Sequence, residues 1–384
     1  MKKILFVESY PHVLFGQQRI LLSMLDACPQ AGLKPLVAAT ADGVFAEEVR
    51  RRSIELVFFP YPGLLSSYGG AIYRNRGLRF LRMVWQLVSY VLRIRLELKT
   101  LSLAGVYCND MRALLTAGIA ARSLGIPVLI WDKLDKPHGW MDWFQLPLVT
   151  SNLIISKAVA RKYPDWQKYL MKNKIILAYE GADLGRIDEA SAIRPQLNLE
   201  EGDIVLAIVG TITARKGHDR IFALWPELIK AFPQLRLLVV GAVSGSEEDD
   251  HFLASLPNRN DSGIQFLGMR EDVPAIMKSI DVLLVPSRHE GFGLVIVEAM
   301  AASKTIIGAD IGGIPEVIAD GETGWVVSED DSAAWKESIF RLASSSELRE
   351  RMGKAGRNRV ERQFNKAKQI GVVLQEVARM EKRR

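Results

Sequence analysis

Residues 185–210 read GRIDEASAIRPQLNLEEGDIVLAIVG, and the change of character inside this stretch decides the architecture. Up to Asp203 it is polar and without period; from Ile204 an unbroken apolar run ends on Gly210. A short apolar run bounded by turn residues marks a strand buried on both faces of a parallel sheet. A polar linker followed by the restart of a strand pattern divides the chain. Its 384 residues exceed one ordinary core and suit two domains of roughly 150 to 200 residues.

Upstream of the linker the same kind of run recurs: ILFVES from Ile4, PLVAAT from Pro35, ELVFFP from Glu55, GVYCN from Gly105, PVLIW from Pro127, NLIIS from Asn152 and IILAY from Ile175. Amphipathic patterns such as RILLSMLDA and RALLTAGIAARSLG lie between them. Downstream, LRLLVVG, IQFLG, DVLLVP, KTIIGA and GWVV continue the series to about residue 327. Strands alternating with helices predict an α/β fold of two doubly wound, Rossmann-like domains. Tandem domains of this kind hold ligand in the cleft between them, at the carboxyl ends of the strands. The chain closes on helical patterns, LRERMGKAGRNRVERQF and KAKQIGVVLQEVARM, whose charges are expected to face solvent.

Composition narrows the class. With 48% hydrophobic and 24% charged residues the sequence is that of a soluble globular protein. Cys28 and Cys108 stand far apart, without His or Cys at ligand spacing, so neither a disulfide framework nor a zinc site is supported, and a reducing cytoplasm is expected. The start, MKKILFVESYPH, reads as a strand rather than a signal-peptide core. No apolar run approaches the roughly 18 residues of a membrane span. Net charge +6 and pI near 9.2 favour anionic partners. Nucleic acid has only this charge in its favour; phosphorylated ligands and a lipid surface have more.

Three stretches carry chemistry. In PSRHEGFGLVIVEAMAAS, residues 286–303, a strand ends, a loop follows, and Gly291 or Gly293 begins a helix. A helix start offers free N–H groups and glycine lets an anion approach them. Glu298 falls inside an apolar helix, where an unpartnered carboxylate costs several kcal/mol or stays protonated. It needs hydroxyls, amides or a cation; a structural ion pair is the plain alternative. A glycosidase pair of Glu290 and Glu298 requires carboxyls about 5 to 10 Å apart across a sugar, which a loop and a mid-helix position serve poorly. In VGTITARKGHDRI, residues 209–221, Arg215 and Lys216 precede a helix where a phosphate gains charge-assisted hydrogen bonds; surface charge is the competing reading. Neither GxxxxGK[ST] nor GxGxxG opens a sheet. FLGMREDVPAIM and GADIGGIPEVIADGETGWVV add glycine turns after strands, near Gly268 and at Gly312 and Gly313, which are either ligand-facing or ordinary.

Taken in order, VGTITARKGHD, FLGMREDVPAIM, VPSRHEGFGLVIVEAMAA and GGIPEVIADGETGWVV closely resemble the donor domain of the retaining glycosyltransferases of family four, with Glu290 and Glu298 as the E-x7-E motif. The resemblance is strong over about residues 204–330 and looser before. It implies the GT-B fold: an acceptor domain over 1–185, joined by a returning helix at about 365–384, and a donor domain over 186–364. It implies a hexosyltransferase using a nucleotide-diphosphate sugar, no cofactor and no metal, and a hydroxyl acceptor on a cell-surface glycan or lipid-linked precursor, at the inner face of the membrane. Arg215 and Lys216 would hold the diphosphate, and with Glu290 form the catalytic set. Glu290 and the amides of Gly291, Phe292 and Gly293 would meet the sugar, Leu294 would lie beside them, and Glu298 would bind the ribose diol. Gly210, Thr211, Met269, Arg270 and Val273 would complete the donor pocket.

The first half departs from the family. FGQQRILLSML stands where relatives often have GGAER, keeping Gly16 and replacing the next residue by Gln17. After PVLIW the family often has a histidine; this chain has Asp132, with His138 further on. Gly16, Gln17, Asp132 and His138 are the acceptor-side candidates. These departures keep a non-catalytic nucleotide-sugar binder as the alternative, ahead of an epimerase or phosphorylase on the same fold. Finally, RNRGLRFLRMVWQLVSYVLRIRLELK, residues 74–99, has basic ends and a broad apolar surface. It reads either as a core helix with solvated arginines or as a peripheral contact with an anionic membrane.

Overall fold

The computed structural model describes residues 1–66, 77–135, 137, 139 and 142–380. Among them a seven-stranded and a six-stranded sheet form, both all-parallel. The first contains β1 (Lys2–Glu8), β2 (Leu33–Ala39), β3 (Glu55–Phe58), β4 (Gly105–Cys108), β5 (Val128–Asp132), β6 (Ser151–Ile154) and β7 (Ile175–Leu177), ordered β3-β2-β1-β4-β5-β6-β7. The second contains β8 (Ile204–Val209), β9 (Leu235–Val240), β10 (Ile264–Gly268), β11 (Val282–Val285), β12 (Thr305–Ala309) and β13 (Gly324–Val327), ordered β10-β9-β8-β11-β12-β13. Every apolar run quoted above contributes a strand, and the two-sheet α/β architecture is that of the GT-B fold.

In each sheet the order reverses beside the first strand, at β1/β4 and at β8/β11. There the connecting loops leave in opposite directions and open a crevice at the carboxyl edge. Side chains alternate across the strand: Ile4 and Phe6 join one buried cluster, Leu5 and Val7 another on the opposite face. Right-handed crossovers put the connections from β3 through β7 on a single face of the first sheet. Accordingly, helix Leu78–Thr100 packs on the segment 111–123, which packs on helix Asp142–Leu148. Met83, Tyr90, Ile94 and Leu98 bury the inner side of the long helix.

The stretch expected as a linker is structured. Asp183 caps helix Leu184–Glu189 by accepting from the Arg186 amide at 3.3 Å, and the Arg194 guanidinium donates to the carbonyls of Glu200 and Asp203 at 2.9 and 2.7 Å. Its polar residues lack a period because they act as caps and staples.

The last helix, Lys366–Arg379, crosses back to the first sheet. Backbone bonds between Ala182 and Phe364 (2.9 Å) and between Lys366 and Ala182 (3.0 Å) start the crossing. Lys2 Nζ then donates to the Ala378 carbonyl at 3.0 Å. One charge on this helix does not face solvent as expected: Glu376 is buried and accepts from Ser151 Oγ at 2.9 Å. Cys28 and Cys108 are both buried and free.

Candidate functional site

At the β8/β11 switch of the second sheet, two loops converge. After Gly210 the chain passes the exposed Thr211, turns through Ala214–Lys216, and takes a left-handed conformation at Gly217 (φ 70°) before helix His218–Ala231. A Cβ on Gly217 would lie 1.9 Å from the Pro286 carbonyl oxygen, so glycine alone lets the loops meet. Arg288 stitches them together: its amide donates to the Arg215 carbonyl at 2.7 Å and its guanidinium forks onto Asp219 at 2.8 and 2.6 Å. Arg215 in turn donates to the His289 carbonyl at 3.1 Å. The outcome is an ion pair, Lys216 Nζ to Glu290 Oε2 at 2.6 Å, with both side chains largely covered. Burial and the Lys216 charge push the neighbouring His218 down to about 4, so it stays neutral.

Gly293 (φ 88°) turns the chain into helix Leu294–Ala301, whose free N-terminus points back at the crevice. Gly312 and Gly313 pack on this loop. The Gly313 amide donates to the Glu290 carbonyl at 3.0 Å, and a Cβ on Gly312 would sit 1.9 Å from that oxygen. A cavity of about 380 Å³ results, bounded by Gly210, Lys216, Arg270, Val273, Glu290, Gly293, Leu294 and Glu298. Among the described residues no donor sits on the Glu298 carboxylate. Burial pushes it up to about 7; the Arg186 and Lys366 charges pull it down and Glu180 adds to the rise.

The remaining donor-side candidates separate. Arg270 lines the cavity while forking onto Asp272 at 2.8 and 2.6 Å, whereas Met269 is 73% exposed. Gly291 and Phe292 turn toward the first domain. The Gly291 carbonyl accepts from Ser156 Oγ at 2.6 Å, and the Phe292 ring stacks on Tyr179 with centroids 5.7 Å apart. Only their backbones are left to meet a ligand. Across the same interface, Glu316 accepts from the amides of Lys157 and Ala158 at 2.9 and 3.0 Å.

On the first domain, Gly16 opens helix Gly16–Ala27 in the open. The Gln17 side-chain amide donates to the Asn109 carbonyl, bridging the β1/β4 switch. Asp132 is buried in a network, accepting from Tyr163 Oη, from Gln145 Nε2 at 2.9 Å and from Lys162 Nζ at 2.7 Å. These bonds organise the end of β5. His138 lies outside the described residues.

Several residues of these cavities and loops escaped the sequence reading. Arg19 and Arg186 also line the cavity at the β8/β11 switch; the first lies one turn beyond Gly16, the second inside the apparent linker. Arg288 and Asp219 were within the quoted motifs, but only the fold pairs them. A second pocket of about 240 Å³ at the carboxyl edge of the first sheet is bounded by Ser9, Tyr10, His12, Thr40, Tyr61 and Arg112. The Arg112 guanidinium lies 5.0 Å from the Tyr10 ring centre and 5.5 Å from that of Tyr61. Nothing in the spacing of these residues announces their meeting.

Residues 189–359 match the family model described as Glycosyl transferases group 1. A D-inositol 3-phosphate glycosyltransferase of Segniliparus rotundus is 34% identical over 196 residues, 48% of this chain and 42% of that protein. The chain thus aligns with under half the length of such curated relatives. Among solved structures, Anabaena HepE in complex with UDP superposes with a TM-score of 0.76 at 19% identity, over 98% of this chain and 100% of that one. A glycosyltransferase from Rickettsia africae reaches 0.78 at 17% identity, over 99% and 98%.

Proposed function

We propose that this chain, whose residues 189–359 match the group 1 glycosyl transferases, moves a sugar from a nucleotide-diphosphate sugar to a hydroxyl acceptor with retention at the anomeric carbon. The observation that carries this reading is the Lys216–Glu290 pair at 2.6 Å sharing one cavity with the Glu298 carboxylate and a helix N-terminus. A nucleotide diphosphate has the matching parts: phosphates for Lys216, Arg215 and the helix amides, and a ribose diol for Glu298. A glycosidase reading finds no support, since Glu290 is held by a cation beside the helix start.

In the reaction the acceptor hydroxyl attacks the anomeric carbon on the face from which the diphosphate departs. The bond from that carbon to the phosphate oxygen breaks, and a phosphate oxygen takes the acceptor's proton. Glu290 holds Lys216 in place before donor arrives, and Lys216 still has N–H groups for the phosphates. Arg215 and Lys216 stabilise the charge that develops on the leaving diphosphate, and the two domains hold acceptor and donor together on that one face. No side-chain nucleophile and no metal enters this scheme. The acceptor is a glycan or lipid-linked precursor, met at the inner face of a membrane through the basic helix within residues 74–99. Among the described residues no helix is long and apolar enough to cross a membrane.

A thermal-shift panel of UDP-, GDP-, ADP- and CMP-sugars tests the donor. A ligand at 100 times its Kd adds about 2.7 kcal/mol, and one member of the panel is expected to do so. No stabilisation by any of them overturns the reading. The engagement of Gln17 with Asn109, where relatives carry a glycine-rich loop, favours as second reading a donor binder without transfer; donor consumption in the presence of acceptor separates the two.

A further inference from the structure

The helices on one face of the first sheet expose two apolar patches. Along helix Leu78–Thr100, opposite its buried side, Leu78, Leu81, Trp85, Val88, Leu92 and Leu96 stand in the open, with Trp85 70% exposed. Their spacing of three and four residues draws a continuous ridge about 27 Å long at 1.5 Å per residue. Single exposed apolar residues are ordinary; a ridge of this length marks an interaction surface. The second patch joins helix Asp142–Leu148 to helix Asp165–Leu170, tied by a bond from Gln167 Nε2 to the Trp143 carbonyl at 2.7 Å. Its tips are Trp143 (56% exposed), Phe144, Trp166 (52%), Tyr169 (77%) and Leu170.

Both patches lie on the face that carries the crossovers from β3 to β7, with the segment 111–123 between them. Their surroundings are basic. The long helix bears Arg79, Arg82, Arg93, Arg95 and Lys99 against Glu97 alone; near the aromatic patch Arg161 and Lys172 are exposed, and the exposed Asp165 beside Trp166 is paired with Lys168 at 2.7 Å. Trp and Tyr with cationic neighbours fit the level of lipid headgroups, where ring bodies meet acyl chains and charges meet phosphates.

We propose that this face is a two-part docking surface for an anionic bilayer: the 78–96 ridge lies along the membrane, and the Trp143/Trp166 patch anchors it at the end next to the cleft. The second anchor sits near the site because Gln145, in the helix that carries Trp143 and Phe144, donates to Asp132 at the end of β5 at 2.9 Å, and the carbonyl of the next residue, Lys133, packs against Gly291. The inference extends the membrane partner of the proposed transferase and rests on that reading for its purpose, not for its geometry.

The test uses the full chain with vesicles of phosphatidylcholine, alone or with about one third phosphatidylglycerol, and with brominated lipids as quenchers of tryptophan fluorescence. Binding to the anionic vesicles, weakened by salt, is expected. Trp143→Ser/Trp166→Ser and Leu81→Ser/Trp85→Ser should each partition roughly tenfold less, with thermal midpoint unchanged. Wild-type partitioning by the Trp143/Trp166 variant removes the second anchor. Absence of vesicle binding overturns the proposal, as does a wild-type dimer that Leu81→Ser/Trp85→Ser makes monomeric, which would assign the face to a second copy. Donor binding is read separately: vesicle binding in a protein that no nucleotide sugar stabilises would sink the transferase reading and leave this surface standing.

Discussion

Replacing Glu298 by Gln should make the empty protein more stable and the donor-bound protein weaker. Burial moves this carboxyl from 4.5 to about 7; at about 1.4 kcal/mol per factor of ten, its ionised form bears a cost of about 3 kcal/mol in the empty cleft. Because the folded pKa lies above the unfolded one, the native state holds the extra proton. The associated stability is full below about pH 4.5 and lost as pH rises through 7. Glutamine carries no such cost, so the two proteins should unfold alike in urea near pH 4.5 and differ by about 3 kcal/mol at pH 8. Glu8, which burial and Asp110 also raise to about 7, has the same sign but is present in both and cancels. Donor hydroxyls need the ionised carboxylate as acceptor. Calorimetric affinity of wild type for a nucleotide sugar, whose diphosphate does not titrate in this window, should therefore fall about tenfold from pH 8 to pH 6. The variant should bind weakly and without that slope. A Glu298→Gln protein less stable than wild type at pH 8 would refute the desolvation cost, and one that kept the wild-type affinity and slope would refute the ribose role.

Lys216→Ala removes the partner of Glu290 and a cation proposed to hold the diphosphate, and should weaken nucleotide binding by roughly 2 to 5 kcal/mol by calorimetry, with the fold intact. Gly217→Ala must carry a left-handed conformation and displace the Pro286 carbonyl; it should lose about 3 kcal/mol or more in urea unfolding. Gly32→Ala, with a similar φ of 72° but open space around it, should lose only about 1 kcal/mol. Tyr163→Phe takes a donor from the buried Asp132 and should cost about 1 to 3 kcal/mol of stability while leaving donor affinity unchanged.

The strands were legible because burial on both faces demands continuous apolar runs, and those runs are bounded by glycine and proline. The loops at the β8/β11 switch were legible because glycines and cations crowd into a few residues there. Other features have no local signature. Asp132 stands alone after its strand in sequence, and only the fold brings Tyr163, Gln145 and Lys162 to it from later elements. Glu376 sits among solvent-facing charges, yet the crossing of its helix sets it on Ser151. Arg186 reads as linker until the Asp183 cap makes it helical. The long helix at Leu78–Thr100 defeated a choice between two readings for a simpler reason: its core side and its exposed apolar side coexist on one cylinder.

The bond from Lys2 to the Ala378 carbonyl joins residues 376 positions apart, and Ser151 to Glu376 spans 225. During synthesis at about 5 to 20 residues per second, the second sheet is complete in sequence before the first has received its last helix. The amino-terminal half must then wait, with the groove meant for Ile370, Val373 and Val377 uncovered, for on the order of ten seconds or more after β7 emerges. An unfinished apolar surface of that duration is a point of entry for chaperones. Loss of the final helix should therefore show first in solubility and yield, ahead of any change in the distant donor cavity.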